Sequence, residues 1–509
     1  MYLVTAEEMR RMEQKIISEV GIPALLLMEN AGRAVAAEVA EQARRSGQRW
    51  LVLAGKGNNG GDGLVAARHM TEAGLDVGLV YAVPKERLQG DALIQRNIVD
   101  QLGLPEIPLA TLLQEKAGGK WDGVVDALLG TGTIGNPKEP YASLIKWVKQ
   151  SGLPVVSVDV PSGVNVDSGA VYTPCIKADV TVTFACKKRG LLQFPAASYA
   201  GKVKVYPIQI PAGLAWEAGC RTFEVSGELF KERLQLSLVD KREEDTHKGT
   251  YGHVLIAAGS RRMLGAGLLC TRAALRGGSG LVSWALPGEM SAAVAGRVPE
   301  AMLAPLTGGA AWESVPADAL LDLLPQRDAL VIGPGMGRWD GDSGWLRRIW
   351  EGAGDSPLLV DADALNMIAD APDFARWAKR EAPTILTPHP GEMARLTGNS
   401  VPEVQNDRCE AARRFALEHG VTLVLKGART VTATRDGFVY VNVNGNPGMA
   451  TGGTGDALAG LIGALLAQGH SAEEAAVLGV YRHGAAGDRA AAARDNPGSL
   501  LAGDLIEAL

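Results

Sequence analysis

The 509-residue chain has little cysteine, few aromatic residues and no long apolar run. Its five cysteines (Cys175, Cys186, Cys220, Cys270 and Cys409) are odd in number, scattered, and form no CxxC pair. That spacing argues against a disulfide framework or a zinc site and suits a reducing cytosol. No apolar stretch reaches the roughly 18 residues that span a bilayer, and the longest, Ala457 to Ala467, has the length of a buried helix. The first residues, Met1 to Gln14, are charged and lack the apolar centre of a signal peptide. A cationic excess is missing as well. With 51 Lys and Arg against 57 Asp and Glu, the net charge is −6, and no basic stripe is available to neutralise a nucleic-acid backbone. These absences point to a cytoplasmic protein that handles small molecules, with neither nucleic acid nor membrane as a partner.

What the chain has in abundance is glycine, 63 residues, alongside 46% hydrophobic content. That combination suits α/β folds with many tight strand-to-helix turns. Short, nearly continuous apolar runs at 50–54, 77–81, 123–127, 154–158, 179–184 and 202–206 alternate with helical segments, as strands buried on both faces of a parallel sheet do. Thr5-Ala-Glu-Glu opens a helix with a capping box, and a second helix follows Pro23. After Pro211 the character changes, and a polar approach from Lys241 to Gly249 leads to a new strand at His253. Further strands are expected at 280–284, 329–333, 358–361, 384–387 and 422–426, then a hairpin of 430–434 and 438–441 about Asp436-Gly437. Two α/β domains, 1–220 and 221–509, accommodate this order.

The glycines cluster where chemistry is expected. Strand 50–54 runs into Gly55-Lys-Gly-Asn-Asn-Gly-Gly-Asp-Gly63, with a helix expected from Leu64. This is the first turn of a doubly wound sheet, yet it is neither the dinucleotide GxGxxG nor a P-loop. Asn58, Asn59 and Asp62 add side-chain oxygens that suit a ligand bearing amides and hydroxyls, or a hard cation such as K⁺. Asp126 leads into the Gly130–Asn136 loop, and Asp159-Val-Pro-Ser162-Gly163 ends the next strand. Carboxyl ends of neighbouring parallel strands share one crevice, so Asn59, Asp126, Asp159 and Ser162 should converge. Lys187-Lys188-Arg189 reads as a solvated loop.

The motifs MENAG at 28–32, GNNGGDG at 57–63, DALLGTG at 126–132 and DVPSG at 159–163 resemble the epimerase domain of the NAD(P)H-hydrate repair enzymes. That family interconverts R and S epimers of hydrated NAD(P)H at C6 of the nicotinamide ring. The resemblance implies a Rossmann-like sheet and substrate contacts from Asn58, Asn59, Gly60, Gly61 and Asp62. It adds contacts from Gly130, Thr131, Gly132, Thr133, Ile134, Gly135, Asn136 and Asp159. It implies a K⁺ site of Asn59, Asp126 and Ser162. Asp159 is then the candidate acid/base group, because moving the C6 hydroxyl requires proton transfers. Its proton-transfer partner is not visible in the sequence.

In the second half the densest motif is Gly445 to Gly460, GNPGMATGGTGDALAG. A glycine turn feeding a helix N-terminus favours an anion through orphan amides and the helix dipole. Asp456 sits where the anion would bind, either as an N-cap or as a catalytic base. Other loops at strand ends are Gly333-Pro-Gly-Met-Gly337, Asp361-Ala-Asp363, Thr387-Pro-His389-Pro-Gly-Glu392 and Lys426-Gly-Ala-Arg-Thr430. Singly, Lys426 could be a solvated lysine and His389 a capped core histidine.

Jointly, GPGMG, TPHPGE, KGART and NPGMATGGTGD resemble the ADP- or ATP-dependent NAD(P)H-hydrate dehydratase domain, which is ribokinase-like. The resemblance implies nucleotide contacts from Lys426, Gly427, Ala428, Arg429, Thr430 and Gly455, and hydrate contacts from Ala266, Gly337, His389 and Asp456. Asp456 would take the hydroxyl proton while amides from Gly452 to Gly455 hold the transferring phosphoryl group. The fusion suggests ADP as donor with Mg²⁺ for charge neutralisation, and the ribokinase-like half suggests a homo-oligomer. The rivals are a hydroxymethylpyrimidine- or thiazole-type kinase sharing the GTGD base, and a non-catalytic nucleotide sensor.

Overall fold

A computed structural model describes residues 1–115, 118–239 and 242–509, so Lys241, the first residue of the expected polar approach, lies outside the described residues. The chain divides into two compact units, Tyr2–Thr222 and Phe223–Leu509, the latter with Met1. Both are α/β units built on parallel strands, as the alternation of apolar runs and helical segments implies.

The first unit opens with helix α1 (Ala6–Lys15), whose Thr5 and Glu8 form the expected capping box. Helix α2 (Ala24–Ser46) packs on α3 (Asn58–Glu72). Strands β1 (Arg49–Ala54), β2 (Asp76–Tyr81), β3 (Gly123–Ala127), β4 (Val155–Val158), β5 (Val180–Phe184) and β6 (Lys202–Tyr206) are all parallel, in the order β2-β1-β3-β4-β5-β6. The order reverses beside β1, which brings the ends of β1, β3 and β4 to one edge. The central strands are buried on both faces, with Leu51, Val52, Leu53, Val124 and Val125 at 0% exposure.

In the second unit the sheet comprises β7 (Thr222–Glu224), β8 (His253–Ala257), β9 (Leu281–Pro287), β10 (Met302–Leu306), β11 (Ala329–Ile332), β12 (Leu358–Val360), β13 (Thr384–Leu386), β14 (Thr422–Leu425), β15 (Val431–Ala433) and β16 (Val439–Val441). Their order is β10-β9-β8-β11-β12-β13-β14-β15-β16-β7, parallel from β10 through β14 and antiparallel across β15 and β16. The hairpin forms where expected, pairing Val431 with Val441, and Gly437 takes φ +84 at the end of its turn. Strands β7 and β10 were not expected from the sequence. Pro305 in β10 breaks the strand signal, and it is tolerated because β10 is an edge strand. Helices used below are α4 (Leu264–Arg276), α5 (Pro390–Thr397), α6 (Thr454–Ala467) and α7 (Ala472–Ala492).

Two helix starts differ from the sequence reading. Helix α3 begins at Asn58 rather than Leu64, so the GNNGGDG turn is the first turn and a half of the helix itself. Close packing forces the glycines there. A Cβ on Gly60 would lie 2.0 Å from the Gly55 carbonyl oxygen, and one on Gly63 would lie 2.4 Å from the Ala127 Cβ. Helix α6 likewise begins at Thr454, with Gly453 (φ +92) as its N-cap residue. Asp456 is therefore the third helical residue and caps nothing.

Gly463 carries the same logic into the core, since a Cβ there would lie 2.2 Å from Val331 Cγ2 on β11. Gly463→Ala is expected to destabilise the unit by about 1–3 kcal/mol through overpacking, despite the better helix propensity of alanine. Thermal unfolding measures it; a variant at least as stable as wild type refutes the packing argument.

Candidate functional site

The first cluster grows from the ends of β1, β3 and β4. Asp126, on β3, is fully buried and accepts hydrogen bonds from Ser157 Oγ (2.9 Å), Ser162 N (2.9 Å), Ser162 Oγ (2.6 Å) and Leu128 N (3.3 Å). Burial raises its pKa, and the Ser162 and Ser157 donors pull the other way. Among the described residues no lysine or arginine pairs with this carboxylate. Asn59 donates its amide to the Leu129 carbonyl (3.2 Å), which leaves its Oδ1 as an acceptor, and Gly130 packs on the Asn59 side chain. Asn59, Asp126 and Ser162 thus meet around Leu129. A hard monovalent cation fits this oxygen-rich, net-anionic donor set.

Asp159 stands just beyond β4 in a left-handed conformation, φ +63, which aspartate tolerates better than most residues. Its Oδ1 receives Thr183 Oγ1 (3.0 Å), Phe184 N (3.4 Å) and the Lys188 ammonium. Lys188 also donates to Thr183 Oγ1 (3.0 Å) and the Phe184 carbonyl (3.2 Å). The Lys187–Arg189 run is consequently no solvated loop. Lys187–Lys188 pairs in parallel with Leu3–Val4, and the Lys188 side chain is 1% exposed. A buried ammonium persists because a carboxylate and two oxygen acceptors surround it. Two further carboxylates feel this pair: Glu13 on α1, and Asp62 in the opening of α3.

The remaining implied residues lie on the segments that follow β1 and β3. Asn58, Gly60 and Gly61 lie in the first turn of α3, where Gly61 packs against Met28 of the MENAG segment. The loop Gly130, Thr131, Gly132, Thr133, Ile134, Gly135, Asn136 follows β3, with Ile134 86% exposed and Asn136 Oδ1 holding Thr173 N at 3.0 Å.

In the second unit the ends of β12, β13 and β14 bring Asp361, Glu392 and Lys426 together. Lys426 Nζ lies 2.6 Å from Asp361 Oδ1 and 3.9 Å from Glu392 Oε2. Burial disfavours the ammonium, but Asp361 and then Glu392 outweigh it, and the Lys426 pKa is raised. A solvated lysine is ruled out. The position a Cβ would take on Gly455 is 3.5 Å from Lys426 Nζ, which places the start of α6 against the same ammonium. Asp456 carries no hydrogen bond among the described residues. Burial first, then Asp361, push its pKa up to about 7 against the pull of Lys426. Glu392 is pushed to about 7, again mainly by burial.

His389 caps α5, accepting at Nδ1 from Gly391 N (2.9 Å) and Glu392 N (3.3 Å). Its proton is therefore on Nε2. The ring is half-exposed rather than a core histidine, and burial followed by the Lys426 charge lowers its pKa, so it presents a neutral donor. Gly337 N donates to Asp363 Oδ2 (2.8 Å), and the Gly335 Cα packs on Ala266 in the first turn of α4, so both lie in the strand-end cluster. Gly427, Ala428, Arg429 and Thr430 form the loop after β14. Thr430 Oγ1 ties back to the Gly427 carbonyl at 2.9 Å, while Arg429, φ +60, turns its guanidinium to the Val443 carbonyl.

Several supports had no sequence signal. Arg408, 4% exposed, donates to the carbonyls of Leu425 (2.9 Å) and Lys426 (3.1 Å) and so fixes the end of β14. From α7, Asp488 accepts from Gly445 N (2.9 Å) and Asn446 Nδ2 (2.9 Å), and His483 Nε2 donates to the Thr454 carbonyl (2.9 Å). These brace both ends of the glycine turn. Lys188 had a visible trace in the Lys-Lys-Arg triplet, but its burial depends on pairing with Leu3–Val4, remote in sequence.

Burial holds the His483 pKa down to about 4, so the unfolded chain binds the proton first. Stability from the neutral ring is present above the unfolded pKa and is lost as pH falls towards 4, at about 1.4 kcal/mol per pH unit. His483→Gln should therefore be less stable than wild type at pH 7, with the gap closing by pH 4.5 in denaturant titrations; a constant gap refutes this assignment.

Residues 254–509 match the family described as NAD(P)H-hydrate dehydratase, and residues 24–190 match the YjeF-related protein N-terminus. The chain is similar to the bifunctional NAD(P)H-hydrate repair enzyme Nnr of Moorella thermoacetica, 40% identical over 100% of this chain and 96% of that protein. It is similar to the enzyme of the same name from Escherichia coli, 36% identical over 99% of this chain and 92% of that protein. Among solved structures it resembles an ADP/ATP-dependent NAD(P)H-hydrate dehydratase from Bacillus subtilis co-crystallised with ATP and Mg²⁺, with 33% identity, coverage of 53% of this chain and 91% of that one, and a TM-score of 0.47. Carrying both family segments and aligning with these relatives along almost its whole length, the chain belongs to the bifunctional NAD(P)H-hydrate repair enzymes.

Proposed function

We propose that the chain repairs hydrated NAD(P)H: the first unit interconverts the R and S epimers, and the second dehydrates the S epimer at the expense of ADP. The observation that carries the reading is Asp456, a carboxylate with no hydrogen-bond partner among the described residues, held in the first turn of α6 beside Lys426. Hydroxide is a poor leaving group from C6, and phosphorylation of that hydroxyl makes a good one. Asp456 takes the hydroxyl proton, and its raised pKa matches a base working near neutrality. The amides from Gly452 to Gly455 receive the transferring phosphoryl charge. Lys426, anchored by Asp361, adds a fixed cation at the start of the helix. The ring nitrogen's lone pair then expels phosphate to leave an iminium, and loss of a proton from C5 restores the dihydropyridine. Gly427 to Thr430 form the loop offered to the nucleotide, and the neutral Nε2–H of His389 is a donor for the hydrate. Mg²⁺ would travel on the nucleotide's phosphates and water.

In the first unit Asp159 exchanges protons with the substrate, while Asn58 to Asp62 and Gly130 to Asn136 enclose it. Asn59, Asp126 and Ser162 would hold K⁺, whose charge balances the buried Asp126 carboxylate. The absence of disulfides and of a helix long and apolar enough to cross a membrane, both among the described residues, is compatible with a cytoplasmic setting.

With S-NADHX and ADP, the protein should produce NADH absorbance, lost by at least ~100-fold in Asp456→Asn while nucleotide binding is retained. Phosphorylation of an alcohol without NADH formation would point to a kinase instead. The dehydration rate should fall as pH drops below about 7, where Asp456 gains its proton. Exchanging K⁺ for a bulky organic cation should slow R-to-S conversion and leave dehydration of pure S substrate in place; equal rates in both salts would remove K⁺ from the first site.

A further inference from the structure

Asp159 needs a partner. Epimerisation at a carbon bearing both a hydroxyl and a ring nitrogen can proceed by opening and reclosing the ring, and this requires a base for the hydroxyl and an acid for the nitrogen. We propose that Asp159, clamped by Lys188, and Asp62, at the opening of α3, form the base and acid of one proton-exchange pair, with Lys188 as the positioning residue. The proposal rests on the epimerase reading given above.

The geometry separates the two carboxylates by role. All three donors to Asp159 converge on Oδ1: Thr183 Oγ1, Phe184 N and the Lys188 ammonium. Oδ2 has no donor among the described residues, and the side chain is 15% exposed, so one oxygen is anchored and the other is offered. Lys188 has its own donors committed to Asp159, Thr183 and Phe184, which fixes the ammonium and prevents it from turning towards a ligand. Asp62 lacks such an anchor. It sits on the helix that follows β1, one strand across β3 from β4, the strand that ends at Asp159. It carries no hydrogen bond or ion pair among the described residues, and the charged groups whose field acts on it are Asp159, Glu13 and Lys188.

Burial, then Asp159 and Glu13, raise the Asp62 pKa well above its ordinary value, which biases it towards the protonated form that can donate. Glu13 is raised too, by burial and then Asp159, with Lys188 and Arg10 opposing. A carboxylate anchored through one oxygen, across the strand ends from a carboxyl biased towards its protonated form, is what an acid/base pair requires. The step balances without any redox partner. Asp159 takes the C6 hydroxyl proton, the C–O bond becomes a carbonyl as the C6–N1 bond breaks, and its electron pair goes to N1, which takes the Asp62 proton. Rotation about C5–C6 presents the other carbonyl face. N1 then attacks as Asp62 recovers its proton, and Asp159 returns its own to the oxygen.

The test uses the full chain with purified R-NADHX, following R-to-S conversion chromatographically above the spontaneous rate, and S-NADHX with ADP as the control for folding. Asp62→Asn should lose at least ~100-fold in kcat for epimerisation with KM within a few-fold, and should dehydrate S-NADHX like wild type. Lys188→Met should lower epimerisation and move the acid limb of its pH profile upward, because the cation beside Asp159 is gone; Lys188→Arg should restore part of both. Epimerisation by Asp62→Asn within threefold of wild type overturns the pair. So does loss in Glu13→Gln with retention in Asp62→Asn, which would make Glu13 the acid. A Lys188→Met profile that is merely scaled down, with the same acid limb, overturns the positioning role. A wild-type chain that does not convert the R epimer at all overturns the epimerase reading itself, and the pair with it.

Discussion

Each unit gathers several carboxylates at the ends of parallel strands and supplies one lysine to hold them. Lys188 pairs with Asp159 in the first unit and Lys426 with Asp361 in the second. An ammonium taken out of water is tolerated only where anionic or carbonyl oxygens replace its hydration shell, so each lysine is tied to one carboxylate and fixed in place. The remaining carboxylates are then partly or wholly withdrawn from water without a full counter-charge. Asp62 in one unit, Asp456 and Glu392 in the other, are pushed towards the neutral form by that shortage. Charge imbalance around a single fixed cation thus creates groups able to move protons near neutral pH, which chemistry at a hydroxyl-bearing carbon needs.

The backbone makes the same accommodation through glycine. Helices α3 and α6 begin almost against the strand ends, where a Cβ on Gly60 would meet the Gly55 carbonyl at 2.0 Å and Gly453 takes φ +92. Close approach leaves the first amides of each helix at the strand ends, and a helix N-terminus there favours negative charge. The site is therefore assembled largely from backbone and a few fixed charges. Its supports, Arg408 under the Lys426 loop and α7 behind the glycine turn, hold those loops in place.

Much of this was legible in the residues. The apolar runs marked the parallel strands because those strands are buried on both faces, and glycine with an oxygen-bearing side chain marked the loops at their ends. The edge strand Met302–Leu306 was hidden by Pro305 and by its partial exposure. The starts of α3 and α6 were placed too late because glycine-rich segments look like turns, although here they are helical and tightly packed. Lys188 was misread for a different reason: a Lys-Lys-Arg run has the composition of a surface, and only its pairing with Leu3–Val4 buries it.

By itself the sequence determined the two α/β units, the parallel sheets, the motif loops and the family. These follow from local periodicity and from residue types that a short segment must contain to turn, pack or bind. Only the tertiary structure decided which charges meet. Asp159 with Lys188, and Lys426 with Asp361 and Gly455, are contacts between segments far apart in the chain, and Asp62 feels the charge of Asp159 from a remote segment as well. A carboxylate's role depends on its burial and on the sign of its neighbours, and both are set by packing across strand ends rather than by neighbouring residues in sequence.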